Sequence, residues 1–214
     1  MGANVGKYSE ILQHYFINTY LEKKRTIVAF DPSLDNINKI RKLNLKNVSL
    51  INSAVSNQNS TASFYENKKR LNSGTDSLFN MNTIGYSPNL NKTIVKTITL
   101  DHFCSSKKIK HIKFLKMDIE GGEFNALLGS QSLLKKGAID IIQFEFGHAA
   151  RGGRVYLFDI IQLLEKYNYY TYVIKPKKIE KIIYTPFTEN RYNMVNFVSF
   201  KNRLLPIMSK IISK

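Results

Sequence analysis

Apolar positions along the chain fall into short blocks whose period switches between that of a strand and that of a helix. Thr26 to Phe30, Val48 to Ile51, Thr93 to Leu100, Ile112 to Met117 and Ile139 to Phe146 are rich in β-branched and aromatic residues and read as buried strands. Leu34, Ile37, Ile40 and Leu43 recur at helical spacing, as do Phe124, Leu127 and Leu128, and later Leu157, Ile160, Ile161 and Leu164. A helical stripe of Tyr8, Ile11, Leu12, Tyr15 and Phe16 precedes the first strand, and Asp101 to Ser105 starts a short helix. Asn52 to Asn57 predicts a hairpin that returns through Thr61 to Tyr65. Tyr169 to Ile174 and Met194 to Phe200 read as the last two strands, joined by a basic, tyrosine-containing connection. Strands alternating with helices predict an α/β domain with a largely parallel sheet. From Glu66 to Lys92 the period disappears into Asn, Ser and Gly, which predicts a lid or an irregular insertion.

The strand ends carry the candidate chemistry. Asp31 closes the first strand, Asp118 and Glu120 follow Met117, and Glu145 stands at the end of Ile139 to Phe146. Ligands of open α/β sheets bind outside the carboxyl ends of the strands, so Asp31, Asp118 and Glu145 are expected to open onto one crevice. The loop Met1-Gly-Ala-Asn-Val-Gly6 leads into the first helix, where small residues let a ligand approach backbone N–H donors. A glycine loop followed by a strand that ends in an acid is how α/β nucleotide sites hold ribose hydroxyls. The stretch Phe114-Leu-Lys-Met-Asp-Ile-Glu-Gly-Gly-Glu123 packs strand, acidic turn, glycine pair and helix start together. Taken alone, that turn is equally a solvated connection whose glutamates suit the positive end of a helix.

Composition narrows the partners. At 214 residues the chain is long enough for one well-buried domain and short for two. The reading assigns residues 1–202 to that domain and 203–214 to an amphipathic tail. No apolar run reaches the ~18 residues a bilayer span requires, and the first residues do not read as a signal peptide. A single cysteine, Cys104, excludes an internal disulfide framework and argues against a thiolate metal site, which fits a reducing, cytoplasmic setting. The formal charge of +16 invites a polyanion. Lysine, however, greatly outnumbers arginine and is spread along the chain, clustering only around Lys107–Lys116 and Lys175–Lys181. Nucleic acid is therefore not the expected partner.

Four stretches in this order, Gly2-Ala-Asn-Val-Gly6, Ala29-Phe-Asp-Pro-Ser33, Asn52-Ser-Ala-Val-Ser56 and Phe114 to Glu123, resemble the motifs of FkbM-type methyltransferases, with Thr99-Leu-Asp101 and Glu145 in support. The resemblance covers roughly residues 1–170. It implies a Rossmann-like class I methyltransferase sheet with helices on both faces and an antiparallel final strand. It also implies S-adenosylmethionine as cofactor and O-methylation of a hydroxyl on a sugar, glycan or similar small molecule. By the same resemblance, Gly2, Ala3, Asn4 and Gly6 wrap the methionine part of the cofactor and Asp31 holds its ribose. Ser53 and Ala54 lie near the adenine, and Asp118 stands beside the sulfonium. One departure matters: the family has a buried strand ending in Asp-Val before Gly-Ala-Asn, and Met1 stands where that valine would be. That strand is the central one, so the strands ending at Asp31 and Asp118 are expected to lack a partner.

Methyl transfer to an alcohol needs a base within hydrogen-bond reach. Asp118, Glu120 and Glu145 are the catalytic candidates, with His148 behind them. Two or three of these carboxylates could instead hold a magnesium ion that acidifies the alcohol, though no metal belongs to the expected site. A nicotinamide-dependent oxidoreductase is the main enzymatic rival, but the chain lacks G-x-G-x-x-G and that reading leaves Asp118-Ile-Glu-Gly unexplained. An inactive methyltransferase-like binding module, or a truncated fragment of an enzyme, is the other alternative. In the tail, Ile207, Met208, Ile211 and Ile212 share one helical face, with Arg203, Lys210 and Lys214 as the charges. That face either packs on the domain or forms a weak contact with a membrane surface.

Overall fold

The computed structural model describes residues 1–19, 26–67, 76–85, 90–185, 187–191 and 194–212. Helix α1 (Lys7–Thr19) leads to strand β1 (Ile27–Phe30), helix α2 (Leu34–Lys42) and strand β2 (Val48–Ile51). Strands β3 (Ala54–Val55), β4 (Ser60–Glu66) and β5 (Asn91–Ile98) follow, with a 3-10 turn at Met81–Ile84. Then come α3 (Leu100–Ser106), β6 (Ile112–Met117), α4 (Glu123–Leu128), α5 (Gln131–Lys136) and β7 (Ile139–Phe146). The chain closes with α6 (His148–Gly152), α7 (Leu157–Lys166), β8 (Tyr169–Lys175), β9 (Lys178–Lys181), α8 (Thr188–Arg191), β10 (Val195–Lys201) and α9 (Leu205–Met208).

Local chemistry explains the boundaries. In α2 the positions Ile37 and Ile40 are buried while Leu34 and Leu43, at the ends of the same stripe, are exposed. Gly137 ends α5 in the left-handed conformation at φ 62°, which glycine reaches without a Cβ penalty. The Asp159 carboxylate accepts from the Tyr156 N–H at 2.9 Å and fixes the start of α7. Helix α1 is less amphipathic than its stripe suggested: Ser9 is buried and Ile11 is exposed.

Among the described residues, hydrogen bonding divides the strands into three groups. The largest runs β6-β7-β10-β8-β9, with β6 parallel to β7 and β10 antiparallel to both β7 and β8, as expected for the final strand. β1 and β2 form a parallel pair, and β3-β5-β4 a small sheet. The expected hairpin between residues 52–57 and 61–65 does not form. Instead β5 separates β3 from β4, parallel to the first and antiparallel to the second. β5 offers both edges over its length, whereas two short strands alone would be marginal. Strand β9 and helix α6 form where the sequence carries no strand or helix period.

Neither β1 opposite β2 nor β6 opposite β7 has a strand partner among the described residues. Residues 1–3 bridge their upper ends: the Met1 amino group donates to the Lys116 carbonyl at 2.8 Å, and the Ala3 N–H to the Phe30 carbonyl at 3.0 Å. Burial, then the nearby Lys116, push that amino group down to about 5. Extending the polypeptide ahead of Met1 by a short β-branched segment is therefore expected to raise the melting temperature by ~5 °C or more, since each added backbone hydrogen bond is worth ~1 kcal/mol and the buried amine becomes a neutral amide. An unchanged melting temperature would mean that the edges of β1 and β6 do not accept a strand.

The main core lies between the sheet and helices α4, α5 and α7, around Met117, Leu127, Leu134, Ile142, Phe144, Leu164 and Phe197. A second cluster on the other face holds Tyr172, Ile179, Val198 and Phe200. The C-terminal segment covers this cluster with Leu204, Leu205, Met208 and Ile212, leaving Ile207 and Ile211 exposed. The predicted single apolar face is thus split, and the helix there has only four residues. No helix among the described residues is long and apolar enough to cross a membrane.

Candidate active site

A cleft of about 350 Å³ opens at the carboxyl ends of β1, β6 and β7, within the range of small-ligand sites. Its first wall is the opening loop. Gly2, Asn4 and Gly6 have φ of 70°, 48° and 86°, so the loop winds through left-handed backbone that glycine and asparagine tolerate. A Cβ on Gly2 would stand 1.8 Å from the Asp118 carbonyl oxygen, which shows how tightly the loop lies on the central motif.

Asp31 ties this wall together. Its carboxylate accepts from the Asn4 N–H at 2.7 Å, the Ser33 N–H at 3.0 Å and the Asn36 side-chain amide at 3.2 Å. Burial pushes its acid upward, opposed by those N–H donors. A carboxylate has about four acceptor positions, so three are already engaged in holding loop and helix. Asn52 extends the frame by donating to the Asp31 and Pro32 carbonyls, and Ser53 and Ala54 continue the wall.

The second wall is the turn after β6. Glu120 and Gly121 take φ of 51° and 94°, a tight reversal that directs the Glu120 side chain to the cleft. Glu123, at the start of α4, is buried and reaches back to the Ile119 N–H at 2.8 Å and the Gly121 N–H at 3.0 Å. Ser77, from the segment without sequence period, donates its hydroxyl to the Glu120 carbonyl at 2.7 Å.

One carboxylate oxygen from each of Asp118, Glu120 and Glu145 lies within 4.8 Å of the others. Lys116 pairs with Asp118 at 2.7 Å while its ammonium sits 5.0 Å from the centre of the Tyr8 ring. Burial, then the charges of Asp118, Glu123 and Glu145, raise Glu120 to about 8. Burial, then Asp118, raise Glu145 to about 7. Glu123 rises to about 7, mainly by burial. Glu120 and Glu145 therefore exchange protons near neutrality, as a general base or acid must. The same three oxygens are also the hard donors that a divalent cation takes.

Of the residues singled out in the sequence, Gly2, Asn4, Asp31, Ser53, Ala54, Asp118, Glu120 and Glu145 line this one cleft. Ala3 and Gly6 do not. The Ala3 N–H goes to Phe30, and Gly6 packs under Ile40 of α2 and Leu43 just after it. His148 begins α6 and is not part of the lining. Phe64, Asp76, Ser77, Leu78 and Met194 complete the cleft; they come from stretches where no motif marked them.

The three raised glutamates set a pH dependence. Each binds its proton more tightly folded than at the ordinary value of 4.5, so their stabilising effect is full below that value and is lost as pH rises through about 7 to 8. Asp140 works oppositely: burial raises it, but Lys113, His111 and Arg203 outweigh this and hold it at about 2, so its contribution is lost only as pH falls below 3.8. The Met1 amine, pushed down from 8.0 to about 5, opposes the glutamates between pH 8 and 5. With three glutamates against one amine, melting temperature is expected to be higher at pH 5.5 than at pH 8.5, and Glu120→Gln is expected to flatten the fall above neutrality. A flat profile in the unmodified chain would contradict this reading.

No curated protein sequence matches the chain. Its structure is similar to a crystal structure of methyltransferase FkbM from Methylobacillus flagellatus KT, with a TM-score of 0.53 and 12% identity over 93% of this chain. The chain spans 42% of the length of that protein. The likeness at that identity concerns the fold, which is Rossmann-like. Residues 1–170 match the methyltransferase FkbM domain, and the chain belongs to the FkbM methyltransferase family.

Proposed function

We propose that the cleft binds S-adenosylmethionine and that the chain directs methyl transfer to a hydroxyl of a sugar, glycan or similar small molecule. The observation that carries this reading is the convergence of the Asp31-braced loop and the Asp118, Glu120 and Glu145 carboxylates on one cavity. In a chain of net charge +16, an acid-lined cleft is selective for a cationic ligand, and a sulfonium is one. When bound, S-adenosylmethionine supplies an electrophilic methyl group.

The chain's own residues do the rest. The remaining acceptor position of Asp31 takes a ribose hydroxyl, and Ser53 and Ala54 border the adenine. Asp118, held by Lys116, presents negative charge to the sulfonium. Glu145 or Glu120 would take the proton of the acceptor hydroxyl whose oxygen receives the methyl group that the cofactor would supply. Catalysis is then mainly positioning of reactants in line.

Calorimetric titration with S-adenosylmethionine and, separately, with NAD tests the reading. Saturable one-to-one binding of the sulfonium compound and none of the dinucleotide is expected. Binding of NAD alone, or of neither, would refute it.

A further inference from the structure

Many of the basic residues, scattered in sequence, are gathered in space. They sit on the returns that carry the chain from helix ends back to the amino ends of the strands, opposite the cleft. Arg41 and Lys42 end α2 and Lys46 lies between α2 and β2, while Lys107, Lys108 and Lys110 lie between α3 and β6, all exposed. Lys135 and Lys136 end α5, Lys166 ends α7 and Arg203 follows β10, exposed as well. The acids on these returns are Asp140, which is buried and already joined to His111, Lys113 and Arg203, and Glu165. The cleft end carries cations too, at Arg151, Arg154, Lys175, Lys177 and Lys178, but there they stand with the acids Asp31, Asp76, Asp118, Glu120 and Glu145. The chain is thus polarised along its strand axis. Helix dipoles favour a cation at a helix end, but they do not account for cations on several loops that meet at one end.

We propose that this basic end docks on an anionic lipid surface and holds the molecule with its cleft turned away from the membrane. The end is built from loops rather than from a helix or ribbon that could lie along a groove, which disfavours duplex nucleic acid. Its cations are mostly lysines, suited to a diffuse layer of headgroup charge rather than to forked recognition. Ile207, 70% exposed in the helix that follows Arg203, adds an apolar side chain of the kind that enters a headgroup layer. The C-terminal segment therefore contributes to the surface through Ile207 and Arg203, not as an independent amphipathic helix. The proposal is independent of what occupies the cleft.

Flotation of the full chain with phosphatidylcholine vesicles containing about 30% phosphatidylserine, at low and high salt, tests it. Binding is expected at low salt, at least about tenfold weaker to pure phosphatidylcholine, and lost in high salt as the charges are screened. The variant K107E/K110E/K135E/K136E is expected to lose about tenfold or more of the binding to anionic vesicles. The variant K7E/K92E/K96E/K177E, with the same net charge but changed away from this end, should lose less than about threefold. S-adenosylmethionine titration of both variants reads the cleft separately. Equal losses in the two variants, or no binding of the unmodified chain to anionic vesicles, overturn the proposal. Binding to a short DNA duplex that depends on the first four lysines, without vesicle binding, replaces the lipid surface by nucleic acid.

Discussion

Replacing Gly121 by alanine is expected to destabilise the fold by ~3 kcal/mol or more and to remove ligand binding in the cleft. At φ 94° the position lies where an L side chain is strained. An added Cβ would also stand 2.3 Å from the Ala149 carbonyl oxygen and 2.8 Å from its carbon, both backbone atoms that cannot rotate away. The turn has little slack to absorb the shift, because Glu120 before it is left-handed too and Glu123 grips the Gly121 N–H. Gly85→Ala supplies the control: its φ is 72°, yet nothing lies within 4 Å of the added carbon. That variant should lose only the backbone term, ~1 kcal/mol. Equal losses in chemical denaturation of the two variants would mean that the contact with α6 yields, and that the turn is less constrained than its geometry implies.

Asp31→Ala is expected to cost ~3 kcal/mol of stability as well as ligand affinity, because it strands three donors at a buried position. Asn4, Ser33 and Asn36 all lose their acceptor, and with it the link between the opening loop and the start of α2. Asp31→Asn keeps one carbonyl oxygen and should fall between the unmodified chain and the alanine variant. Affinity for S-adenosylmethionine should drop in the same order, by ~30-fold or more for alanine. Thermal melts and calorimetry read the two effects separately. If the alanine variant melts with the unmodified chain, Asp31 does not organise the loop; if it also binds equally, Asp31 leaves the site altogether.

The strands that form the cleft were legible because their composition is unambiguous. Val48–Ile51, Ile112–Met117 and Ile139–Phe146 begin and end where their β-branched and aromatic runs do. The carboxylates at the ends of β1, β6 and β7 open onto one crevice because these strands present the same end. Strand β9 escaped notice since only Ile179 of its four residues is buried, too little to register as a pattern. The pairing of β4 with β5 across residues 67–90 is non-local and no turn signal announces it. Ser77, Leu78 and Met194 reach the cleft from irregular segments for the same reason. Glu123 was visible in the central motif, but its grip on Ile119 and Gly121 depends on a backbone reversal that residue types alone do not reveal. The lysines misled in the opposite sense: even spacing in sequence concealed how many of them meet, with few acids beside them, at the amino ends of the strands.

Among the described residues β1 and β6 share no ladder, which has a consequence for amide exchange. β1, α2 and β2 are tied to the larger sheet through the Met1 and Ala3 hydrogen bonds and through the Phe30 ring set edge-on to Phe103 at 4.8 Å. Such a unit opens at lower free energy than the continuous five-stranded sheet. Amides of Ile27–Phe30 and Val48–Ile51 should then exchange through a partial opening, while those of β7 exchange only with global unfolding. A ligand in the cleft touches Asp31 on one side and Glu145 on the other, so it closes that opening with a free energy set by its concentration over its dissociation constant. Protection in β1, rather than in the centre of the main sheet, becomes the measure of whether the cleft is filled.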